Sequence, residues 1–204
     1  MKSIRTLIYC PVLHTTEDLG KMGEPLRKAG LESLGTAGLE QKDRMIRQIW
    51  TLIESYIESL EISFDKLRLY QDGLPVCGRE YDIVKHMARA GSRNHQILTR
   101  LMDKGAMLTG TEDPALLLAE YEWIKQSVHP PLDKVEKSSP HSRNRAEMLL
   151  KQRDQYIAVR INQTLGPGEY GLLFIGMLHR VDQLLDPDIR IICPDLTPKQ
   201  AKGV

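Results

Sequence analysis

The feature that most constrains this chain is an alternation. Short runs that are apolar at nearly every position are separated by longer segments whose apolar residues recur every three or four positions. Gly171-Leu172-Leu173-Phe174-Ile175 carries no polar side chain, so a strand there must be covered on both faces. Ile4 to Cys10, Lys66 to Tyr70, Ala106 to Thr109 and Ile189 to Cys193 read as further strands, each followed closely by Pro or Gly. Between the first two, Met45, Ile46, Ile49, Trp50, Ile53, Ile57 and Leu60 mark one face of an amphipathic helix. Ile83, Val84 and Met87 mark a second helix, ended at Gly91. Ile97, Leu98, Leu101 and Met102 mark a third, with Ser92 as its cap and Gly105 as its stop. Asp113 before Pro114 opens a fourth, through Leu116, Leu117, Leu118, Tyr121 and Ile124. A long helix from Asn144 runs through Leu149, Leu150, Tyr156, Ile157, Ile161 and Leu165 to Gly166-Pro167-Gly168.

Strands alternating with helices predict an α/β fold. The expected form is a mostly parallel sheet of about five strands covered by helices, in a single domain over 1–204. Two segments stand outside the pattern. Thr15 to Leu39 holds five glycines and little periodicity, and reads as a long loop of the kind that closes over ligands. Residues 127–143 hold three prolines and no apolar period, and read as a polar connector.

Composition narrows the function classes. The apolar set AVILMFWYC makes up 41% of 204 residues, enough for a sizeable core, and the formal net charge is +1. Nucleic-acid binders carry a surplus of Lys and Arg, so no nucleic-acid partner is expected. No run approaches the ~18 apolar residues of a membrane span, so no membrane partner is expected. The apolar start is too short for a secretion signal. Cys10, Cys77 and Cys193 form no CxxC pair, and so sparse an odd count fits a reducing compartment, which predicts a cytoplasmic location. Cys77 precedes a helix, where a thiol can be activated, but it reads more simply as a small buried residue; Cys10 and Cys193 read as core. With no GxGxxG, Walker A or G-x-S-x-G motif, no nucleotide cofactor is indicated.

Chemistry collects where the strands end. His14 follows the first strand, Asp72 the second, Glu112 and Asp113 the third, and His179 the fourth. In parallel sheets ligands bind outside the carboxyl ends of the strands. Singly, each residue has a plain alternative: a histidine can be a bonded loop residue, Asp72 before Gly73 a turn residue, and Asp113 a helix cap. Glu112 and His179 have no such structural duty, and the coincidence of four makes a site. Two imidazoles and two carboxylates can hold a transition metal or divide acid and base work. Arg153 and Arg160, seven apart on one helix, and Glu17, with Asp18 close behind His14, are the candidate ligand-binding residues.

The early strand with His14 and the late Gly176-Met177-Leu178-His179, preceded by a helix containing Arg153 to Ile161, resemble the TraB/ChaN/erythromycin-esterase-like superfamily. Pro11 stands where that group usually has glycine. The resemblance implies a site built from His14, an acid after the second strand, Glu112 and His179. The group includes proposed metal-dependent proteases, hydrolytic esterases and haem-linked proteins, so it does not choose a reaction. The combined expectation is a metal-assisted hydrolase of a small molecule or peptide. His14, Glu112 and His179 would bind a divalent metal such as Zn, Mn or Fe, and Asp72 would orient or deprotonate water. The alternative is a non-catalytic domain that senses a small molecule in the same pocket. The helix face around Trp50 could serve a homodimer or the core, and core packing is the simpler use.

Overall fold

The computed structural model describes residues 4–13, 23–128 and 140–196. Five strands form one all-parallel sheet: β1 (Arg5–Val12), β2 (Leu67–Gln71), β3 (Met107–Thr109), β4 (Tyr170–Gly176) and β5 (Ile189–Ile192). Their order is β3-β2-β4-β1-β5. The helices are α1 (Gly23–Glu58), α2 (Glu80–Arg89), α3 (Arg93–Asp103), α4 (Pro114–Val128) and α5 (Pro140–Thr164). The α/β architecture and parallel sheet expected from the alternation are present.

Right-handed crossovers dictate the layers. The chain moves from β1 to β2 to β3 in one direction and returns from β3 to β4 to β5 in the other. The outward crossovers therefore cover one face and the two return crossovers cover the other. Ile8, Cys10, Leu67, Leu69, Leu172 and Phe174 pack with residues of α1, α2 and α3. Their strand neighbours Leu7, Tyr9, Tyr70, Leu173 and Ile175 point the opposite way, onto Ile157, Ala158 and Ile161 of α5. Trp50 is buried edge-on to Phe174, ring centroids 5.6 Å apart, so the face around it serves the core. Gly171 is required by packing. A Cβ there would lie 2.7 Å from Leu7 Cδ1 and 3.1 Å from Tyr70 Cε2, so its absence lets both larger side chains fill the middle of the sheet.

Local signals hold at the element ends. Ser92 Oγ accepts from the His95 amide as the cap of α3, and Gly105 takes a positive φ of 103° just beyond that helix. Asp113 Oδ1 accepts from the Ala115 amide at 2.7 Å, with Pro114 opening α4. The expected loop over 15–39 is corrected. From Gly23 onward the chain is helical, with a break at Gly35, where φ is 67° and ψ 174°. Glycine lowers helix stability by only about 1 kcal/mol per position, and the Leu, Glu, Lys and Arg residues between these glycines are good helix formers. Leu31 and Leu34 are exposed and only Leu39, among the described leucines of this stretch, is buried, so its periodicity is weak. Residues 14–22 and 129–139 lie outside the described residues, and with them most of the expected connector. Cys10 is core as expected, but Cys77 and Cys193 are exposed. Strand β5 stops at Ile192, one residue short of Cys193.

Candidate functional site

Topology creates a crevice before any side chain is considered. β2 and β4 are neighbours, yet the chain leaves β2 toward β3 at one edge of the sheet and leaves β4 toward β5 at the other. Where adjacent connections diverge, the carboxyl ends of the strands are left uncovered by their own crossovers. Asp72 stands just beyond β2 there, and the turn holding His179 follows β4. The ladder carries on past the end of β2, since the Asp72 amide donates to Phe174 O at 2.9 Å, and this fixes Asp72 against β4. Its Oδ2 accepts from the Gly176 amide at 2.9 Å.

The Gly176–Arg180 turn is tightened by the His179 amide donating to Gly176 O. It aims the imidazole inward, between two carboxylates. Nδ1 lies 2.5 Å from Asp154 Oδ1, and Nε2 lies 3.4 Å from Asp72 Oδ2. The other oxygen of Asp154 accepts from the Arg180 amide at 2.9 Å, so α5 grips the turn twice. On the far side of Asp72 sits Arg153. Its Nη2 is 2.6 Å from Asp72 Oδ1 and 2.6 Å from Glu112 Oε1, its Nε donates to Glu112 Oε2 at 3.2 Å, and its Nη1 is 2.6 Å from Glu120 Oε2. The result is one continuous line, Asp154–His179–Asp72–Arg153–Glu112, with Glu120 beside it. It joins the ends of β2, β3 and β4 to α5.

Glu112 is fully buried, and backbone geometry places it. The segment after β2 folds onto the segment after β3 through a parallel bridge between Pro75 and Glu112. The Val76 amide donates to Glu112 O, and the Thr111 and Glu112 amides donate to Leu74 O. A Cβ on Gly110 would lie 3.0 Å from Pro75 O and Val76 Cα, so glycine lets the two segments approach without a shift of backbone. Arg160 closes the same corner by donating to Gly110 O at 3.2 Å.

The line carries two cations against four carboxylates, counting His179 as protonated. Burial by itself would lower the imidazole pKa. The hydrogen bonds to Asp154 and Asp72 outweigh it and lift His179 to about 9, so it is an imidazolium at neutral pH. Burial is the largest influence on Glu112 and pushes its carboxyl above the ordinary value. Arg153 opposes the shift, and the nearby Asp72 adds to it. Burial opposes the charge of Arg153 too, but Glu112 and Asp72 more than compensate and hold the guanidinium charged.

Of the residues singled out from sequence, Asp72, Glu112, His179 and Arg153 are brought into one connected group. Arg160 is placed at its margin, on a backbone carbonyl. His14 and Glu17 lie outside the described residues. Val12 pairs with Gly176, so β1 delivers the chain to the same edge just before His14. Glu112 does not fit the metal set expected with His14 and His179. Both of its oxygens face Arg153, and Oε1 also accepts from the Gly73 amide at 3.2 Å. Among the described residues, no group of three His, Cys, Asp or Glu side chains is placed to hold an ion. Arg153, expected to reach an anionic ligand, instead spends its donors on three carboxylates of this chain.

Sequence reasoning missed Asp154 and Glu120. The signal for Asp154 was present in α5. Leu149, Arg153, Asp154, Ile157, Ala158, Ile161 and Leu165 are all buried along one stripe of the chain. A charged pair occupying core-facing positions of such a stripe calls for partners in the fold. Compared with family models, curated proteins and solved structures, the chain finds no match.

Proposed function

We propose that the chain is a hydrolase of a small molecule or peptide, working by acid–base chemistry at the crevice between β2 and β4. The observation that carries this reading is the Asp154–His179–Asp72 line at the divergence point of a parallel sheet. Asp154 holds Nδ1 and so presents Nε2 toward Asp72. An ionised Asp72 takes a proton from water as that water attacks the scissile carbonyl carbon. The bond from carbon to the leaving nitrogen or oxygen breaks, and the leaving atom takes the proton from His179 Nε2. The proton on Asp72 then passes to the neutral imidazole across the 3.4 Å gap, which restores both groups. Arg153 and the Gly176 amide hold Asp72 in place throughout. The resemblance to the TraB/ChaN/erythromycin-esterase-like group, with its late Gly-x-x-His, supports a hydrolytic reading. Its metal-assisted version, with His14 and His179 on a Zn, Mn or Fe ion, has less support from the geometry because Glu112 is committed to Arg153.

The test is a hydrolase screen on the untagged full chain, with and without chelator, beside His179→Ala and Asp72→Asn. Turnover that survives chelation and falls at least 100-fold in His179→Ala is the expected result, since a positioned acid or base contributes about 10²–10⁴. Activity lost to chelator and restored by Zn, Mn or Fe would replace the acid–base version with the metal-assisted one. A second reading, a non-catalytic small-molecule sensor, is favoured by one observation: the side chains of His179 and Asp72 are only 5% and 6% exposed. Ligand-induced thermal stabilisation without turnover would support that reading.

A further inference from the structure

Behind the Asp154–His179 pair lies a groove of about 690 Å³, between the first half of α5 and the segment that follows β4. Its size is that of an ordinary small-molecule pocket, which spans roughly 300–1,000 Å³. Met148, Leu178 and Leu184 line it and are 54%, 78% and 43% exposed, so a row of large apolar side chains faces water beside the site. Leu150 adds to the same lining. Its wall includes Asp154, whose oxygens are taken by the His179 ring and the Arg180 amide.

The charges at the rim are of unequal availability. Lys151 and Arg180 both line the groove and are exposed, and neither takes part in the ion pairs among the described residues. Among the described residues lining it, Glu147 is the one carboxylate not already bonded to the site. The free charge therefore sums to a single positive excess over an apolar floor. Long cationic side chains lay their stems on apolar surface and hold their charge at its edge, an arrangement that suits a ligand with an apolar body and one anionic head. The position is also informative. Nε2 of His179 points away from the groove toward Asp72, so a ligand here meets the support of the imidazole rather than its reacting nitrogen. Leu178 and Arg180 flank His179 in sequence and both turn outward into the groove, so a ligand held by them grips the turn that positions His179.

We propose that this groove is a binding site for a small amphipathic anion, an aliphatic or similarly apolar body bearing one carboxylate or phosphate, separate from the reaction site. The apolar body lies along Met148, Leu178 and Leu184, and the anionic head lies between Lys151 and Arg180. Because the groove does not include Nε2 or Asp72, binding does not depend on turnover, and failure of the hydrolase reading leaves it standing.

Calorimetric titration of the full chain with decanoate, below its aggregation concentration, tests this directly. Octyl phosphate serves as the second anionic probe, and decanol and decylammonium as controls. Saturable binding of both anions at one site is expected, with decanol at least fivefold weaker and no binding of decylammonium. Arg180→Gln combined with Lys151→Gln should weaken decanoate at least tenfold, and Leu178→Asp should abolish binding. All three residues are exposed, so the variants should retain the wild-type unfolding midpoint, which is measured alongside. His179→Gln should still bind decanoate. No binding of either anion, equal binding of decylammonium, or affinity unchanged by the double substitution overturns the proposal. Retention of the protein on anionic phosphatidylglycerol vesicles, without saturable binding of the free anions, overturns it in favour of a membrane surface.

Discussion

Two nearly buried arginines sit at opposite ends of the same sheet, and each is held by carboxylates, yet they do different work. Arg5 begins β1. It pairs with Asp186 at 3.0 Å and Asp188 at 2.6 Å, and it also donates to the backbone carbonyls of Asn162 and Leu165. Its carboxylate partners are half in water, at 48% and 58% exposed. Among the described residues Arg153 binds no carbonyl, and its partners Asp72 and Glu112 are 6% and 0% exposed. Arg5 fastens the end of α5 and the start of β5 with groups that water could also satisfy. Arg153 neutralises one carboxylate that is fully buried and one, facing a histidine, that is nearly so. The first arrangement closes a fold; the second holds charge in a fixed place, which is what an acid–base site requires.

The largest expected effect follows from that contrast. Arg153→Met strands Glu112 without a cation and leaves Asp72 with only His179. Breaking a buried pair from one side costs about 3–5 kcal/mol, so the variant should lose a large part of its stability in urea unfolding. Any hydrolytic turnover should vanish with it. A loss below about 1 kcal/mol, the range of surface pairs, would mean that water reaches this cluster and the contrast is false.

The next effect belongs to His179. Its folded pKa of about 9 stands above the ordinary 6.5, so the folded state holds the proton more tightly than the unfolded chain. The stabilisation is fully present below pH 6.5 and is lost as pH rises through 9. Its size is on the order of 3 kcal/mol, since each tenfold gain in proton affinity is worth about 1.4 kcal/mol. Unfolding midpoints measured from pH 6 to 10 should fall across this window in the wild type, and His179→Gln should flatten the fall. An equal slope in both proteins would place the titrating group elsewhere.

Arg5→Met should cost less, about 1.5–3 kcal/mol, the range for hydrogen bonds to charged groups. Asp186 and Asp188 return to water when the guanidinium is gone. Turnover per folded molecule should match the wild type. An Arg5 variant that folds normally and yet loses activity would end the division of labour between the two arginines.

The sequence made one of these ends far more legible than the other. Apolar runs such as Leu172 to Ile175 announce buried strands because nothing polar interrupts them. Punctuation at Gly91-Ser92 and Asp113-Pro114 announces helix starts through their capping chemistry. Once the strands were parallel, Asp72, Glu112 and His179 had to share an edge. The pairings within that edge were not legible. Arg153 touches Asp72 across 81 positions of chain, and nothing in local spacing encodes such a meeting. Asp154 was missed because a lone aspartate beside an arginine reads as surface. The N-terminal half of α1 was missed for the opposite reason: Leu31 and Leu34 face water, so they write no stripe into the sequence.

The smallest expected effect concerns Glu112, and it separates charge from hydrogen bonding within the Arg153 cluster. Burial raises the Glu112 carboxyl above its ordinary value, so the folded state prefers the protonated form more than the unfolded chain does. A group of this kind works against stability as pH rises from the ordinary glutamate range through its folded pKa. Glutamine removes that titration. Its amide oxygen can still accept from Arg153 Nη2 and the Gly73 amide, but its NH2, a donor, comes to face the Arg153 Nε–H that Oε2 accepted from, so that hydrogen bond is lost. The lost hydrogen bond and the relieved carboxylate pull in opposite directions, and each is of the order of 1 kcal/mol. Glu112→Gln should therefore unfold within about 1 kcal/mol of the wild type at neutral pH, far from the loss expected for Arg153→Met at the other end of the same bond. Its stability should also decline less steeply than the wild type's above the glutamate range. A loss as large as that of Arg153→Met would show that the ionised carboxylate of Glu112, and not merely an acceptor at its position, holds the guanidinium in place.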